Sequence, residues 1–125
     1  MAKKSDNTGP PEARVFTLAA ELFAVLATPI RLQILSALCE QERSVSQMLE
    51  QIDTTQPNLS QHLAVLFKAG VLARRKNGTQ VIYRIQNEKA VVLCRSVCTQ
   101  IAIEMDEFEP ESEARSPGAS AVEVV

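Results

Sequence analysis

The chain has 125 residues, 46% of them hydrophobic, with a formal net charge of −2 and no tryptophan. This length suits one domain, and the apolar fraction suffices for an aliphatic, largely helical core. Neither an apolar run of about 18 residues nor a signal-peptide pattern is present, so we expect a cytoplasmic protein without a membrane partner. Because that compartment keeps thiols reduced, the three cysteines, an odd count, are not expected to form a framework of structural disulfides.

Both ends of the chain are polar and contain residues that interrupt helices. Residues 1–10 include Gly9 and Pro10 and are predicted to form a disordered arm. Residues 109–125 are rich in Pro, Ser and Glu, without a periodic apolar pattern, and are predicted to form a disordered acidic tail. The folded domain is therefore expected to span residues 11–108.

Apolar spacing and capping residues predict four helices in the first half of this domain. They are expected at residues 12–26, 29–40, 45–52 and 55–70. The last three have Thr28, Ser44 and Thr55 as predicted N-caps. The first two helices have apolar faces too wide to be covered by one neighbour. A second copy of the chain is the simplest additional partner, so a homodimer is expected.

The helix at residues 55–70 combines an apolar stripe with a polar face that has no carboxylate. Side chains of Gln, Asn, Ser and His can hydrogen-bond to base edges in a major groove, where a carboxylate would be repelled by phosphate. The candidate DNA contacts on this helix are Gln56, Asn58, Ser60, Gln61 and His62. An ordinary amphipathic surface helix is the alternative interpretation.

Two β-rich runs follow this helix and are joined by Asn77 and Gly78, a strong two-residue hairpin signal. Residues 54–87 contain five Lys or Arg and no Asp or Glu, whereas the rest of the chain has eight basic and fifteen acidic residues. Such segregation is typical of a surface that binds a polyanion. The candidate contacts to the DNA backbone or minor groove are Arg74, Arg75, Lys76 and Arg84. The sequence thus predicts a mainly α fold with a small β-hairpin, a winged helix-turn-helix.

A fifth helix is predicted from Asn87, a plausible cap, to about residue 108. Its apolar residues recur in alternating steps of three and four, which makes a narrow seam that faces another helix. The seam consists of Val91, Cys94, Val97, Cys98, Ile101, Met105 and Phe108. Pairing with the same helix of a second copy is favoured over packing within one chain.

These segments resemble the ArsR/SmtB family of small bacterial transcriptional repressors. The resemblance covers about residues 12–105 and depends on four motifs. They are LATPIRLQIL at 26–35, QPNLSQHLAVL at 56–66, AGVL at 69–72 and YRI at 83–85. The resemblance implies a homodimer formed through the first and last helices, which binds a double-stranded DNA operator.

A protein–protein interaction module and an enzyme are the two functional classes other than a repressor. Winged helices also serve as docking domains, so a protein–protein interaction module is the alternative. The segregated charge argues against it. Without a CxxC, a Gly-rich phosphate loop, a metal cluster or a second histidine, neither an enzyme nor a cofactor is expected.

The resemblance also implies an inducer that releases the repressor from DNA. Arsenic sensors of one type have Cys-Val-Cys where this chain has Ser-Val-Ser, at residues 44–46. Zinc-type members have Asp, His, His and Glu on the last helix, whereas the single histidine here is His62. Reactive-sulfur sensors join one cysteine of the second helix to one of the last. Cys39 and Cys98 match that pattern, each displaced by about one helical turn.

The resulting hypothesis is a thiol switch in which Cys39 and Cys98 become bridged, with Cys94 as a competing partner. The inducer would be an oxidant, a polysulfide or a persulfide. Cys94 and Cys98 are four residues apart, where Cβ atoms lie about 5–6 Å from each other, which strains a direct disulfide but suits a shared soft ion. The alternatives are an arsenite-responsive repressor with Cys94 and Cys98 as ligands, and three cysteines that only fill the core.

Overall fold

A computed structural model describes residues 10–107 of the chain. The elements in chain order are α1 (Pro11–Leu26), α2 (Pro29–Leu38), β1 (Arg43–Ser44), α3 (Val45–Gln51), α4 (Gln56–Lys68), β2 (Leu72–Asn77), β3 (Gln80–Ile85) and α5 (Glu88–Glu107). The predicted mainly α fold with a β-hairpin is confirmed. The predicted arm, apart from Pro10, the last seam residue Phe108 and the predicted tail at residues 109–125 lie outside the described residues.

The capping residues that the sequence indicated fix where the helices begin. Thr28, Ser44 and Thr55 each accept a hydrogen bond from the backbone N–H three residues later, with lengths of 3.1 to 3.2 Å. At the start of α5, Asn87 Oδ1 accepts a similar bond from the backbone N–H two residues later, that of Lys89, at 2.9 Å. Gly70 ends α4 with a φ of 81°, in the left-handed region that glycine adopts without strain.

The structure differs from the sequence-based expectation at two places. Helix α2 ends at Leu38, not at residue 40, so Cys39 is its C-cap. The predicted hairpin is part of a three-stranded sheet, because β1 pairs antiparallel with β3 and gives the strand order β1-β3-β2. A strand of two residues is too short to produce a readable alternation of apolar and polar residues, and the sequence therefore did not reveal it.

The described chain divides into two compact units, one ending at Val91 and the other beginning at Val92. In the first unit, α4 contacts α1, α2, α3 and β2. The stripe of Leu59, Leu63 and Leu66 is completely buried at 0% exposure. Each of these leucines contributes about 1.5–3 kcal/mol through burial. Helix α4 therefore packs against the core through this apolar stripe, and its polar face lies at the surface.

Both units leave large apolar side chains exposed. Four side chains of α1 are exposed by 55 to 75%: Val15, Phe16, Leu18 and Phe23. In the second unit, α5 exposes Val97, Ile101, Ile103 and Met105 by 48 to 61%. Within residues 10–107, no helix taken singly has the length and apolar character to span a membrane, although α1 and α2, bent by 93°, pass that test as a pair.

Candidate nucleic-acid interface

The polar face of α4 carries the candidate base contacts. Gln56, Asn58, Ser60 and Gln61 are exposed, and His62 is half-buried. The side-chain amide of Asn58 donates one N–H to Thr54 Oγ1 at 2.9 Å, which orients the amide and leaves its carbonyl oxygen and second N–H available to a ligand. Because no carboxylate lies on this helix, an approaching phosphate meets only neutral groups and Lys68.

His62 is tied to α2 by a contact that the sequence did not indicate. The Nε of Arg31 donates to His62 Nδ1 at 3.1 Å, and its Nη1 donates to the carbonyl of Val25 at 2.8 Å. Arg31 belongs to the LATPIRLQIL motif, but its distance of 31 residues from His62 gives no local signal. The guanidinium therefore connects the end of α1 to the polar face of α4.

The strand register divides the basic residues of the hairpin between two faces. Arg74 pairs with Tyr83 and Arg75 with Ile82, and successive residues of a strand point to opposite sides. Arg74 and Lys76 therefore lie on one face of the hairpin. Arg75 lies on the other together with Arg84, which pairs with Ala73. The four cations surround the hairpin rather than forming one row.

Arg74 joins the hairpin to α4. Its guanidinium lies 3.9 Å from the centre of the Phe67 ring, and its Nη1 donates to the hydroxyl of Tyr83 at 3.4 Å. A cation stacked on an aromatic face at the surface is worth about 0.5–1 kcal/mol, enough to favour one side-chain position without neutralising the charge. The contact thus places the positive charge of Arg74 beside α4.

Arg75, in contrast, already has a carboxylate partner. Its Nη2 lies 2.6 Å from Glu42 Oε1, and the two side chains are 50% and 41% exposed. Ion pairs this open to solvent contribute at most about 1 kcal/mol, so a phosphate can compete for the arginine. Glu42 precedes the acid-free segment in sequence, which is why counting charges along the chain did not associate it with the hairpin.

The three cysteines occupy different environments. Cys39 is half-buried, Cys94 is buried and Cys98 is exposed. The Sγ of Cys39 donates to the carbonyl of Ser36 at 3.2 Å. The Sγ atoms of Cys94 and Cys98 lie 3.8 Å apart, close enough to be bridged by one atom. Within residues 10–107, no group of three or more His, Cys, Asp or Glu side chains is placed to hold a metal ion.

One family model and a number of known proteins resemble this chain. The model of the arsR family of bacterial regulatory proteins matches residues 28–74, from the cap of α2 into β2. The transcriptional regulator KmtR of Mycobacterium tuberculosis is 41% identical over 85 residues, which are 66% of this chain and 65% of KmtR. The chain therefore spans just under two thirds of that relative.

The other two comparisons cover more of the relative's length. The biofilm growth-associated repressor of Xylella fastidiosa is 39% identical over 85 residues, 65% of this chain and 75% of the repressor. The homodimeric winged helix-turn-helix DNA-binding domain Mb0332 of Mycobacterium bovis superposes with a TM-score of 0.63 at 28% identity, covering 87% of this chain and 96% of that domain. Together with the winged helix-turn-helix order of elements, these matches establish that the chain belongs to the ArsR family of bacterial regulatory proteins.

Proposed function

We propose that this protein is a transcriptional repressor that binds a pseudopalindromic DNA operator as a homodimer in the cytoplasm. The observation that carries the proposal is the joining of a carboxylate-free polar helix to a basic hairpin through Arg74 and Phe67. Family membership supports a regulatory protein and not an enzyme.

In this proposal α4 lies in the major groove and the hairpin contacts the backbone beside it. Helix α3 would cross the backbone, as the first helix of a helix-turn-helix does. Gln56, Asn58, Ser60, Gln61 and His62 would contact bases or phosphates through their hydrogen-bonding groups. From the hairpin, Arg74, Arg75, Lys76 and Arg84 would contact phosphates, with Arg75 leaving Glu42 as it does so.

The exposed apolar side chains of α1 and α5 are the proposed dimer surface. Each of the two helices exposes four or more large apolar side chains, which is unusual on a protein that stays monomeric. The related Mb0332 domain is homodimeric. A twofold axis would present two copies of α4 to half-sites about 34–36 Å apart. The operator would then be a palindrome with that spacing.

The salt dependence of DNA binding tests the electrostatic part of this proposal. If each subunit neutralises about four phosphates, the logarithm of the association constant should fall with the logarithm of salt concentration with a slope of about −7 for the dimer. The double variant Arg74→Ala/Lys76→Ala should flatten the slope to about −4, because two cations per subunit are lost. Fluorescence anisotropy with a duplex selected from a random pool gives both slopes.

Lys89→Ala/Arg95→Ala is the matched control because it also removes two cations, and both residues are exposed on α5, outside the basic segment. Its slope should equal that of the wild-type protein. Absence of DNA binding, together with a partner protein whose binding is insensitive to salt, would instead support a protein–protein interaction module.

We further propose that modification of thiols releases the operator. Reactive sulfur or an oxidant would bridge Cys39 and Cys98, with Cys94 competing for Cys98. With an organic trisulfide, two protein thiols and one trisulfide give a protein trisulfide and two small thiols, so atoms and electrons balance. The exposure of Cys98 supports the proposal because an attacking thiolate must be accessible.

The distance between Cys94 and Cys98 favours a second candidate inducer, arsenite or another soft ion. In the tetrahedral geometry of Zn²⁺, two thiolates bound at about 2.3 Å lie about 3.8 Å apart, which is the separation of the two Sγ atoms. Pyramidal arsenic(III) likewise bonds neighbouring thiolates. Two cysteines leave such an ion with open positions, which solvent or a second copy of the chain could fill. Soft ions prefer thiolate ligands, so the pair would select them over hard cations.

Cysteine-to-serine variants separate these two sensor mechanisms. Cys39→Ser and Cys98→Ser should each bind DNA normally and lose release by organic polysulfide, as measured by a DNA-shift assay and mass spectrometry of the protein. Retained release in both variants would reject the Cys39–Cys98 switch. Arsenite binding that is lost in Cys94→Ser and in Cys98→Ser, but kept in Cys39→Ser, would establish the soft-ion mechanism.

A further inference from the structure

The guanidinium of Arg31 is held from two sides. Its Nη1 donates to the carbonyl of Val25, near the end of α1 where helix carbonyls have no partner within the helix. Its Nε donates to His62 Nδ1 at 3.1 Å. The backbone N–H of Arg31 is itself bound by the cap Thr28 at 3.1 Å. These bonds fix the position from which Arg31 reaches the histidine.

The chemistry of arginine determines where His62 holds its hydrogen. A guanidinium has five donors, no acceptor and no accessible neutral form, so the nitrogen that faces it must carry a lone pair. Nδ1 of His62 is that nitrogen. In a neutral imidazole the hydrogen then lies on Nε2, because one ring nitrogen accepts and the other donates.

The Nε2 edge of His62 has no hydrogen-bond partner among residues 10–107. The ring is half-buried and borders the polar face of α4, next to the exposed Gln61. A single N–H donor on that edge can be satisfied by an acceptor outside the protein. In duplex DNA such acceptors are N7 and O6 of guanine, N7 of adenine, O4 of thymine and the phosphate oxygens.

We propose that Arg31 is a positioning residue that locks His62 as the Nε2–H tautomer, so that His62 presents one fixed donor to an acceptor atom of DNA. Arg31 itself need not touch the DNA. The part concerning DNA depends on the proposed repressor function, whereas the tautomer is a property of the free protein. A histidine without this lock could present either an acceptor or a donor, and its contact would discriminate less between bases.

Nitrogen NMR tests the lock directly, because His62 is the single histidine of the chain and gives one unambiguous ring spin system. In the full-length protein at a pH where the ring is neutral, long-range ¹H–¹⁵N correlation should show a protonated Nε2 and an unprotonated Nδ1. Arg31→Met should give a mixture of both tautomers, because the methionine side chain has no donor for His62 Nδ1. Arg31→Lys, which keeps a charged donor, should restore much of the wild-type pattern.

Arg14→Met is the matched control, since Arg14 is exposed on α1 and the same charge is lost. Its histidine spectrum should equal that of the wild-type protein. A mixture of tautomers or a protonated Nδ1 in the wild-type protein would overturn the lock even if Arg31→Met does not fold. An unchanged single tautomer in a folded Arg31→Met variant would overturn it as well.

Two isosteric variants of His62 test the contact with DNA. Glutamine places its amide nitrogen near the position of Nε2, and asparagine places its own near Nδ1. Against duplexes selected from a random pool, His62→Asn should lose about tenfold or more in affinity, and His62→Gln should lose less. Loss of preference at one base position would identify a base acceptor, and an equal loss on all sequences would identify a phosphate.

Equal affinity of His62→Asn and wild-type protein would overturn the donor contact. If the wild-type protein binds no DNA at all, the proposed function fails, yet the spectrum of His62 still decides whether Arg31 locks the tautomer. The two failures are therefore distinguishable.

Discussion

Replacement of Gln61 by Glu is expected to lower the affinity for DNA by at least about 100-fold. Gln61 lies exposed on α4, and the change adds a negative charge to a face that has no carboxylate. A lost base contact costs about 1–3 kcal/mol in each subunit, and the dimer carries the change twice. Repulsion by nearby phosphates adds to this loss.

Fluorescence anisotropy at one fixed salt concentration measures the effect, and circular dichroism verifies that the helices are intact. Gln33→Glu provides the control, because Gln33 is exposed on α2 and undergoes the same change of atoms and charge. Gln33→Glu should reduce the affinity for DNA much less, because only the change in the net charge of the protein then acts on the DNA. Similar losses in the two variants would place the DNA elsewhere than on α4.

The polar face of α4 was largely predictable from local sequence signals. Leu59, Leu63 and Leu66 repeat with the period of a helix, so the buried stripe and the opposite polar face followed from spacing alone. Thr55 and Gly70 marked the two ends of α4, because a cap and a left-handed glycine act within a few residues. Such interactions leave a pattern that can be read along the chain.

The contacts that the sequence did not reveal join residues that are distant along the chain. Glu42 and Arg75 are 33 residues apart, and Arg31 and His62 are 31 apart. No periodicity or spacing relates such pairs, because the fold alone brings them together. As a result, Glu42, which lies outside the acid-free segment, partly neutralises the charge of Arg75 within it.

The environments of the three cysteines were likewise only partly predictable from the sequence. The four-residue spacing of Cys94 and Cys98 correctly placed them side by side on one helix, now with their sulfurs 3.8 Å apart. That spacing could not show that Cys94 is buried while Cys98 is exposed, since burial depends on the rest of the molecule. Nor could the apolar pattern place Cys39 at the cap of α2, because helix ends depend on tertiary contacts.

Replacement of Ile101 by Glu is expected to convert the proposed dimer to a monomer and to lower operator affinity by at least about 100-fold. Ile101 is 48% exposed on α5 and belongs to the seam that we assign to the dimer. Dimerisation would take the new carboxylate out of water without a partner, at a cost of several kcal/mol for each subunit. A monomer contacts one half-site only and loses the contribution of the linked second one.

Analytical ultracentrifugation at micromolar concentration measures the oligomeric state, and anisotropy measures operator binding by the same samples. Thr99→Glu is the control, because Thr99 is exposed and lies about 160° around the helix from Ile101. It introduces an identical charge on α5 and should leave both the dimer and its affinity in place. An Ile101→Glu variant that still dimerises would remove this part of α5 from the interface. A monomeric wild-type protein would reject the homodimer itself, and the operator would then need no twofold symmetry.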